Sequence, residues 1–274
     1  MTETTQMTPL QAIILGLVQG LTEFLPISST AHLRIVPYFL GWDDPGAAFS
    51  AAIQLGTLAA VFVYFAGDVQ RLTLAAIDGL RHRDLRRTPD TLLAWSIVPA
   101  SIPIVVLGLG FKDSIENEAR ALWIIATALI VLALLLLLAE RVSRRDRSLG
   151  QLTFWRIQII GLCQALALVP GCSRSGSTIM GGLFVGLERA EAARFSFLLG
   201  LPAIGGAGLL KLLELLAAEP GADDLLNLAL GIAAAAVSGY ASIGLLLRFL
   251  QRHGTYAFSC YRIGLGAILL WTLY

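Results

Sequence analysis

Long apolar stretches, most of them without a charge, restrict this chain to a membrane. About 20 apolar residues in a helix, each rising 1.5 Å, cross a hydrocarbon core of roughly 30 Å. Windows of nearly this length lie at 45–67, 91–111, 121–139, 195–218, 225–247 and 255–274. The only charges inside them are Lys211, Glu214 and Arg262. The pattern predicts an all-α polytopic membrane protein with six transmembrane helices.

The composition agrees with this interpretation. Hydrophobic residues make up 56% of the chain and charged residues 14%, whereas an average soluble domain carries roughly a quarter charged residues. The net charge of +1 provides no basic field, so nucleic acid is excluded as a partner. We interpret residues 1–274 as a single integral membrane domain.

Two further apolar stretches, 10–41 and 157–187, are each divided by a polar segment that contains a proline. The first segment reads Pro26-Ile-Ser-Ser-Thr and the second Pro170-Gly-Cys-Ser-Arg-Ser-Gly-Ser-Thr. Irregular backbone at membrane depth is tolerated only where it is buried in protein or lines a wet cavity. Since each half is too short to span, we predict two re-entrant helix–loop–helix hairpins.

The charges between the spans predict an orientation. Arginines are concentrated at 68–90, 140–156 and 248–254, while the linkers 112–120 and 219–224 are short and lean acidic. The positive-inside rule places the first three segments in the cytoplasm and the two linkers outside. The first hairpin then enters from the outer face, the second from the cytoplasmic face, and both chain ends lie outside.

The two hairpins also resemble each other. Gly16-Leu-Val-Gln-Gly-Leu matches Gly161-Leu-Cys-Gln-Ala-Leu, and a proline and a serine-rich turn follow in both. Three spans separate the copies, which inverts the second one; in such repeats, broken helices meet near the midplane and form the site. Chance likeness between glycine-rich helices is the alternative. The predicted parts are repeat 1 at about 10–111, a linking helix at 121–139, repeat 2 at about 157–247 and a final helix at 255–274.

The first polar segment offers oxygen ligands and an imidazole. Gln19 and Glu23 are four residues apart, so both face the same side of a helix, which suits a hard divalent cation. Ser28 or Ser29 can cap the second half-helix, whose N-terminus then attracts anions. His32 lies on the same face. A plain capped hairpin with an interior histidine is the alternative.

The second segment places one guanidinium, Arg174, among four hydroxyl side chains, Ser173, Ser175, Ser177 and Thr178. The planar fork of arginine matches phosphate oxygens, and hydroxyls add donors. This predicts an anion site; a pairing of Arg174 with Glu23 is an alternative that does not exclude it. Gln54, an amide inside a span, needs partners and is a candidate for facing the cavity.

The segments Gln19–His32 and Pro170–Thr178 resemble the two signature motifs of the bacterial undecaprenyl-diphosphate phosphatase family, the bacitracin-resistance type. The likeness extends to Gln54-Leu-Gly, to Phe195–Leu199 and to Tyr261-Arg262, and it covers nearly the whole chain. The resemblance implies hydrolysis of the C55 isoprenyl diphosphate to monophosphate and phosphate at the periplasmic side of the inner membrane, which recycles the lipid carrier of cell-wall synthesis. It also implies a divalent cation, Mg²⁺ or Ca²⁺, and leaves a homodimer open.

Carried over by position, the resemblance makes Glu23 the metal-linked acidic residue and Ser29 and His32 the catalytic pair, with Arg174 as a catalytic clamp. Many family members have Glu where this chain has Gln19, which keeps an oxygen ligand but removes one negative charge. The nucleophile stays open between Ser29, His32 and water. The implied substrate-binding residues are Ser28, Thr30, Gln54, Ser173, Arg174, Ser175, Thr178 and Arg262.

Two other functions fit the same pattern. Inverted repeats with broken helices are typical of secondary transporters, so a transporter or flippase of a lipid phosphate is the alternative function. A purely structural membrane scaffold is the second. Release of inorganic phosphate from a prenyl diphosphate distinguishes the phosphatase from both.

Overall fold

The computed structural model describes residues 7–273, which form α-helices, three short 3₁₀ turns and no β-strand. In chain order the helices are α1 (Pro9–Phe24), α2 (Ser29–Leu40), α3 (Gly46–Ala52), α4 (Gln54–Tyr64), α5 (Ala66–Arg81), α6 (Pro89–Gly110), α7 (Lys112–Glu116), α8 (Leu122–Val142), α9 (Phe154–Gln164), α10 (Arg174–Phe184), α11 (Arg189–Ala217), α12 (Ala222–Arg252) and α13 (Tyr256–Leu273).

Six of these segments are long and apolar enough to cross a membrane: the α3–α4 pair, α6, α8, α11, α12 and α13. Each coincides with one of the six windows found in the sequence. The prediction of an all-α polytopic membrane protein with six transmembrane helices is confirmed.

The first span is not one continuous helix. It is interrupted at Ile53, where α3 ends and α4 begins, and the N–H of Gly56 bonds the Ile53 carbonyl at 3.1 Å. A Cβ on Gly56 would lie 2.1 Å from the carbonyl oxygen of Ile232, so α4 lies directly against α12. The other half, α3, packs mainly on α11. The break therefore lets one span follow two different neighbours.

The arginine-rich segment 68–90 contains a helix that hydropathy windows do not reveal. In α5, Leu72 is buried, whereas Leu74, Ile77 and Leu80 are exposed. The helix packs on α6, whose Trp95 indole N–H donates to the Ala76 carbonyl at 3.1 Å. A search for uncharged stretches misses such an amphipathic helix, because charged residues lie among its leucines along the sequence.

The two predicted hairpins are helical pairs, and their re-entrant course through the membrane stays a prediction. In the first, α1 packs against α2 and α12; in the second, α9 packs against α10 and α6. A Cβ on Gly20 would lie 2.0 Å from the Ser238 hydroxyl, so α1 and α12 approach closely. The entry of the hairpins from opposite membrane faces stays a prediction. So do the repeat boundaries and the membrane orientation. The very ends of the chain lie outside the described residues.

Candidate active site

The two hairpin loops end in the same local structure. Ser28 caps α2 and Ser173 caps α10, and both have a positive φ, 75° and 66°, which is uncommon outside glycine. Each cap hydroxyl accepts the backbone N–H three residues later, at 3.3 Å in the first loop and 3.1 Å in the second. Each also lies 3.1 Å from the hydroxyl two residues later. This likeness supports the predicted repeat.

The loops meet through a buried ion pair. Arg174 Nη2 donates to Glu23 Oε1 at 2.8 Å, and both side chains are less than a tenth exposed. A second contact joins the loops beside it, where the Ser175 hydroxyl donates to the Leu25 carbonyl at 3.0 Å. The structure thus forms the Glu23–Arg174 pair that the sequence left as an alternative.

The other oxygen of Glu23 holds two more predicted residues. Gln19 Nε2 donates to Glu23 Oε2 at 2.9 Å, and the Ser29 hydroxyl donates to it at 2.6 Å. Four residues predicted from two distant motifs, Gln19, Glu23, Ser29 and Arg174, therefore form one hydrogen-bonded cluster. We call it the carboxylate cluster.

The guanidinium of Arg174 is seated on α11. Its Nη1 donates to the Ser196 carbonyl at 3.0 Å, and its Nε is buried without a hydrogen-bond partner. A Cβ on Gly200 would lie 2.2 Å from Nη1, so only glycine leaves room for the guanidinium there. Sequence analysis did not place Ser196 or Gly200 in the site. The sequence signal for them is that Phe-Ser followed by Leu-Gly occurs both at 49–56 and at 195–200.

His32 lies one turn into α2 and bonds two groups. Its Nδ1 is 2.7 Å from the Ser28 carbonyl oxygen and its Nε2 is 2.7 Å from the Tyr261 hydroxyl. The two rings are nearly parallel, with 9° between their planes. Ser29 bonds Glu23 and not His32, so the residues implied as a catalytic pair are neighbours in α2 without a direct hydrogen bond.

Three of the residues implied in substrate binding are sealed inside the protein. Ser28, Ser175 and Thr178 have no exposed surface. The Thr178 hydroxyl donates to the Arg174 carbonyl at 2.7 Å and lies 2.5 Å from the Ser196 hydroxyl, which links α10 to α11. Residual surface remains on Glu23, Ser29, Thr30, His32, Ser173 and Arg174.

Arg262 is also fully buried, and its hydrogen bonds are internal. Its guanidinium donates to five backbone carbonyls, those of Pro26, Gly171, Cys172, Ala128 and Leu129. The first three belong to the two hairpin loops and the last two to α8. This arrangement differs from the substrate contact implied by the sequence, because the donors are used to hold both loops against α8.

Gln54 lies apart from the carboxylate cluster in its hydrogen bonding. It begins α4, is half-buried, and its backbone carbonyl accepts from the Thr57 hydroxyl at 2.8 Å. Its position at the break in the first span explains a polar residue at this depth, because the first turn of a helix leaves backbone groups without partners.

Two side chains of the carboxylate cluster, Glu23 and Gln19, have oxygens that could hold a divalent cation. Gln19 Oε1 is buried and has no hydrogen-bond partner, and it belongs to the amide that touches Glu23. Within residues 7–273, no group of three or more His, Cys, Asp or Glu side chains is arranged to hold a metal ion. One carboxylate and one amide oxygen fit a hard cation that also binds water and phosphate oxygens, and do not form an all-protein cage.

Comparisons with known proteins show which family this chain resembles over nearly its whole length. Residues 12–268 match the family described as "Bacitracin resistance protein BacA". A curated "Undecaprenyl-diphosphatase" from Chloroherpeton thalassium is 54% identical over 272 residues, which is 95% of each chain. Proteins of the same name from Chlorobaculum tepidum and Myxococcus xanthus are each 51% identical, and the aligned residues cover 95% and 96% of this chain and 95% and 89% of theirs.

Proposed function

The chain belongs to the family of bacitracin resistance protein BacA, and from this premise we propose that it is an undecaprenyl-diphosphatase. The reaction is hydrolysis of the C55 isoprenyl diphosphate to the monophosphate and inorganic phosphate. The observation that carries this proposal is the contact between Glu23 and Arg174, which brings the two motif loops together around one partly accessible cluster.

We place the site at the periplasmic face of the bacterial inner membrane. The arginine-rich segments lie at the other ends of the spans, which favours this orientation. A separate cleft of about 460 Å³ is lined by Arg34, Asp44 and Arg120, between α2 and the linker 112–120. In this placement the charged head group reaches the site from the periplasm while the prenyl tail stays in lipid.

Arg174 is the residue that binds the diphosphate. Hydrolysis of a phosphoanhydride depends on charge neutralisation and alignment of the nucleophile. The unpartnered Nε of Arg174 provides a further donor for a phosphate oxygen. The capped N-termini of α2 and α10 add positive potential at the same place.

The contacts favour different roles for Ser29 and His32. The Ser29 hydroxyl already donates to Glu23, so the carboxylate is the group placed to take its proton when Ser29 attacks the terminal phosphorus. In that step the P–O–P bond breaks and the isoprenyl monophosphate leaves, and water then hydrolyses the phosphoserine to inorganic phosphate. The Nδ1 of His32 must carry a proton, because the Ser28 carbonyl can only accept. In the neutral ring Nε2 therefore has the lone pair, which accepts from the Tyr261 hydroxyl, and it is the atom that acts as acid or base toward water or phosphate.

We propose that Glu23 and Gln19 hold a divalent cation, Mg²⁺ or Ca²⁺. The buried, unpartnered Gln19 Oε1 supports this assignment. When bound, the cation would neutralise charge on the diphosphate oxygens. The side chains of Ser28, Ser175, Thr178 and Arg262 position the loops.

Phosphate release tests the proposal. Protein purified in detergent is incubated with farnesyl or undecaprenyl diphosphate and Mg²⁺ or Ca²⁺, and we expect inorganic phosphate to appear. Arg174→Ala should abolish most of it, whereas Arg252→Ala, at the last turn of α12, should leave it unchanged. If no inorganic phosphate is released from either substrate with any divalent ion, the proposed function is contradicted.

A further inference from the structure

We infer that Tyr261 is a positioning residue for His32, and that its hydroxyl holds the Nε2 lone pair in place for the reaction. The inference rests on the proposed function. The contact of 2.7 Å between its hydroxyl and His32 Nε2 is the starting observation.

The hydrogen-bond direction follows from the Ser28 carbonyl. A carbonyl oxygen only accepts, so Nδ1 carries the ring proton and Nε2 of the neutral ring must accept. The Tyr261 hydroxyl is therefore the donor. A ring held by one acceptor at Nδ1 and one donor at Nε2 has a fixed tautomer and a fixed plane, which is what a proton-transfer group requires.

Tyr261 is placed by its neighbour in the chain. Arg262 is bonded to five carbonyls of the two loops and α8, and this fixes the register of α13 against α8 and the loops that precede α2 and α10. The phenol itself is 46% exposed. An anchored backbone with a half-exposed side chain allows the hydroxyl to hold the imidazole and to rotate away when water or phosphate reaches Nε2.

The side chains around the His32 imidazole offer Nε2 one hydrogen-bond partner, the Tyr261 hydroxyl. The charged group that acts electrostatically on the imidazole is Arg262, whose guanidinium faces the loop carbonyls. The helices packed on α2 at this level contribute apolar side chains, among them Ile125, Leu129 and Leu269. Removing the Tyr261 hydroxyl should therefore change the function of His32 without disturbing an ion pair.

The kinetic test is Tyr261→Phe, which keeps the stacked ring and removes only the donor. We expect kcat for phosphate release to fall about tenfold, as for lost partners of functional histidines, with KM within about twofold and an unchanged Tm. Tyr256→Phe, a half-exposed tyrosine on the same helix, is the matched control and should leave kcat unchanged. An unchanged kcat, or a loss confined to KM, would overturn the inference.

A second measurement needs no substrate and is therefore independent of the proposed function. The chain has three histidines, so H82Q and H253Q together leave His32 as the only source of imidazole ¹⁵N signals. We expect the unprotonated nitrogen to be Nε2 and its resonance to move in Tyr261→Phe, while Nδ1 keeps its position. An Nε2 signal that does not move would overturn the inference even in an active enzyme; absent phosphate release with a shifted signal would overturn only the proposed function.

Discussion

The loop before α2 and the loop before α10 end in the same serine cap with a positive φ and carry different chemistry. Residues 145 apart in the chain occupy equivalent places in the two loops. The serine caps correspond to each other, but the next positions do not. The differing pairs are Ser29 and Arg174, His32 and Ser177, and Glu23 and Leu168.

The difference shows how two similarly capped loops form one site. The first loop has the carboxylate and the imidazole, and the second has the guanidinium, so neither loop has a complete set. A buried charge whose partner is removed costs about 3–5 kcal/mol, which favours docking of the loops on each other. The Ser177 hydroxyl, at the place equivalent to His32, is buried without a partner.

The largest effect should come from Arg174→Lys, which keeps the charge of the second loop and removes its fork. A lysine cannot bond Glu23, the Ser196 carbonyl and a phosphate oxygen in the same fixed plane. We expect phosphate release to fall about 100-fold or more. Arg252→Lys is the control. A rate within twofold of the wild type would remove the clamp role.

Gly200→Ala should reach the same guanidinium from outside both loops. The new Cβ would overlap Arg174 Nη1 and Cζ, at 2.2 and 2.7 Å, and the flexible side chain must move. A displacement of 1 Å can cost up to about 100-fold, so we expect a loss of about tenfold in kcat with little change in Tm. Gly206→Ala, on the same helix with no atom within 4 Å of its Cβ, should match the wild type. Equal activities of the two variants would contradict the seat assigned to Gly200.

Glutamate variants of Gln19 and of Gln164, 145 residues later, distinguish an effect on metal binding from the cost of a buried carboxylate. Gln19→Glu adds a carboxylate to the carboxylate cluster, and we expect the Mg²⁺ concentration for half-maximal rate to fall about threefold or more. Gln164→Glu places a carboxylate where both side-chain atoms are buried without partners, so it should lower Tm and leave the Mg²⁺ requirement alone. An unchanged requirement in Gln19→Glu would remove this residue from the metal site.

The smallest effect tests the likeness of the two caps. Ser28→Ala and Ser173→Ala each lose one cap hydrogen bond, and each should cost about 1 kcal/mol of unfolding free energy. The glycine variants should cost only a few tenths, because glycine accepts the positive φ. Denaturant unfolding in detergent measures all four. Costs that differ between the two loops by more than about 1 kcal/mol would contradict an equivalent backbone.

Sequence predicts the spans well because the bilayer imposes a simple rule, a charge-free window of fixed length. It predicts that Gln19 and Glu23 share one face because they lie one helical turn apart, whereas the bond between Ser29 and Glu23 crosses the loop and is seen only in the structure. The break at Ile53 carries no proline or charge to reveal it. The helix α5 is hidden by its own arginines.

Long-range partners explain the remaining differences. The sequence identifies Arg262 as a buried charge but not its acceptors, which are backbone carbonyls of three separate segments and leave no trace in residue type. Tyr261 lies 229 residues from His32, so their contact depends on how α13 docks. Thr178 has a hydroxyl within a motif that resembles a phosphate-binding loop, and only its packing against Ser196 shows that this hydroxyl is enclosed.

A double-mutant cycle on phosphate release most directly tests whether the two loops form one diphosphatase site. Glu23→Gln, Arg174→Lys and the double variant are compared with the wild type under saturating Mg²⁺. Because the two side chains act as one hydrogen-bonded unit, the double variant should be no slower than the slower single variant. Losses that multiply would mean that Glu23 and Arg174 act independently, and would contradict a shared site.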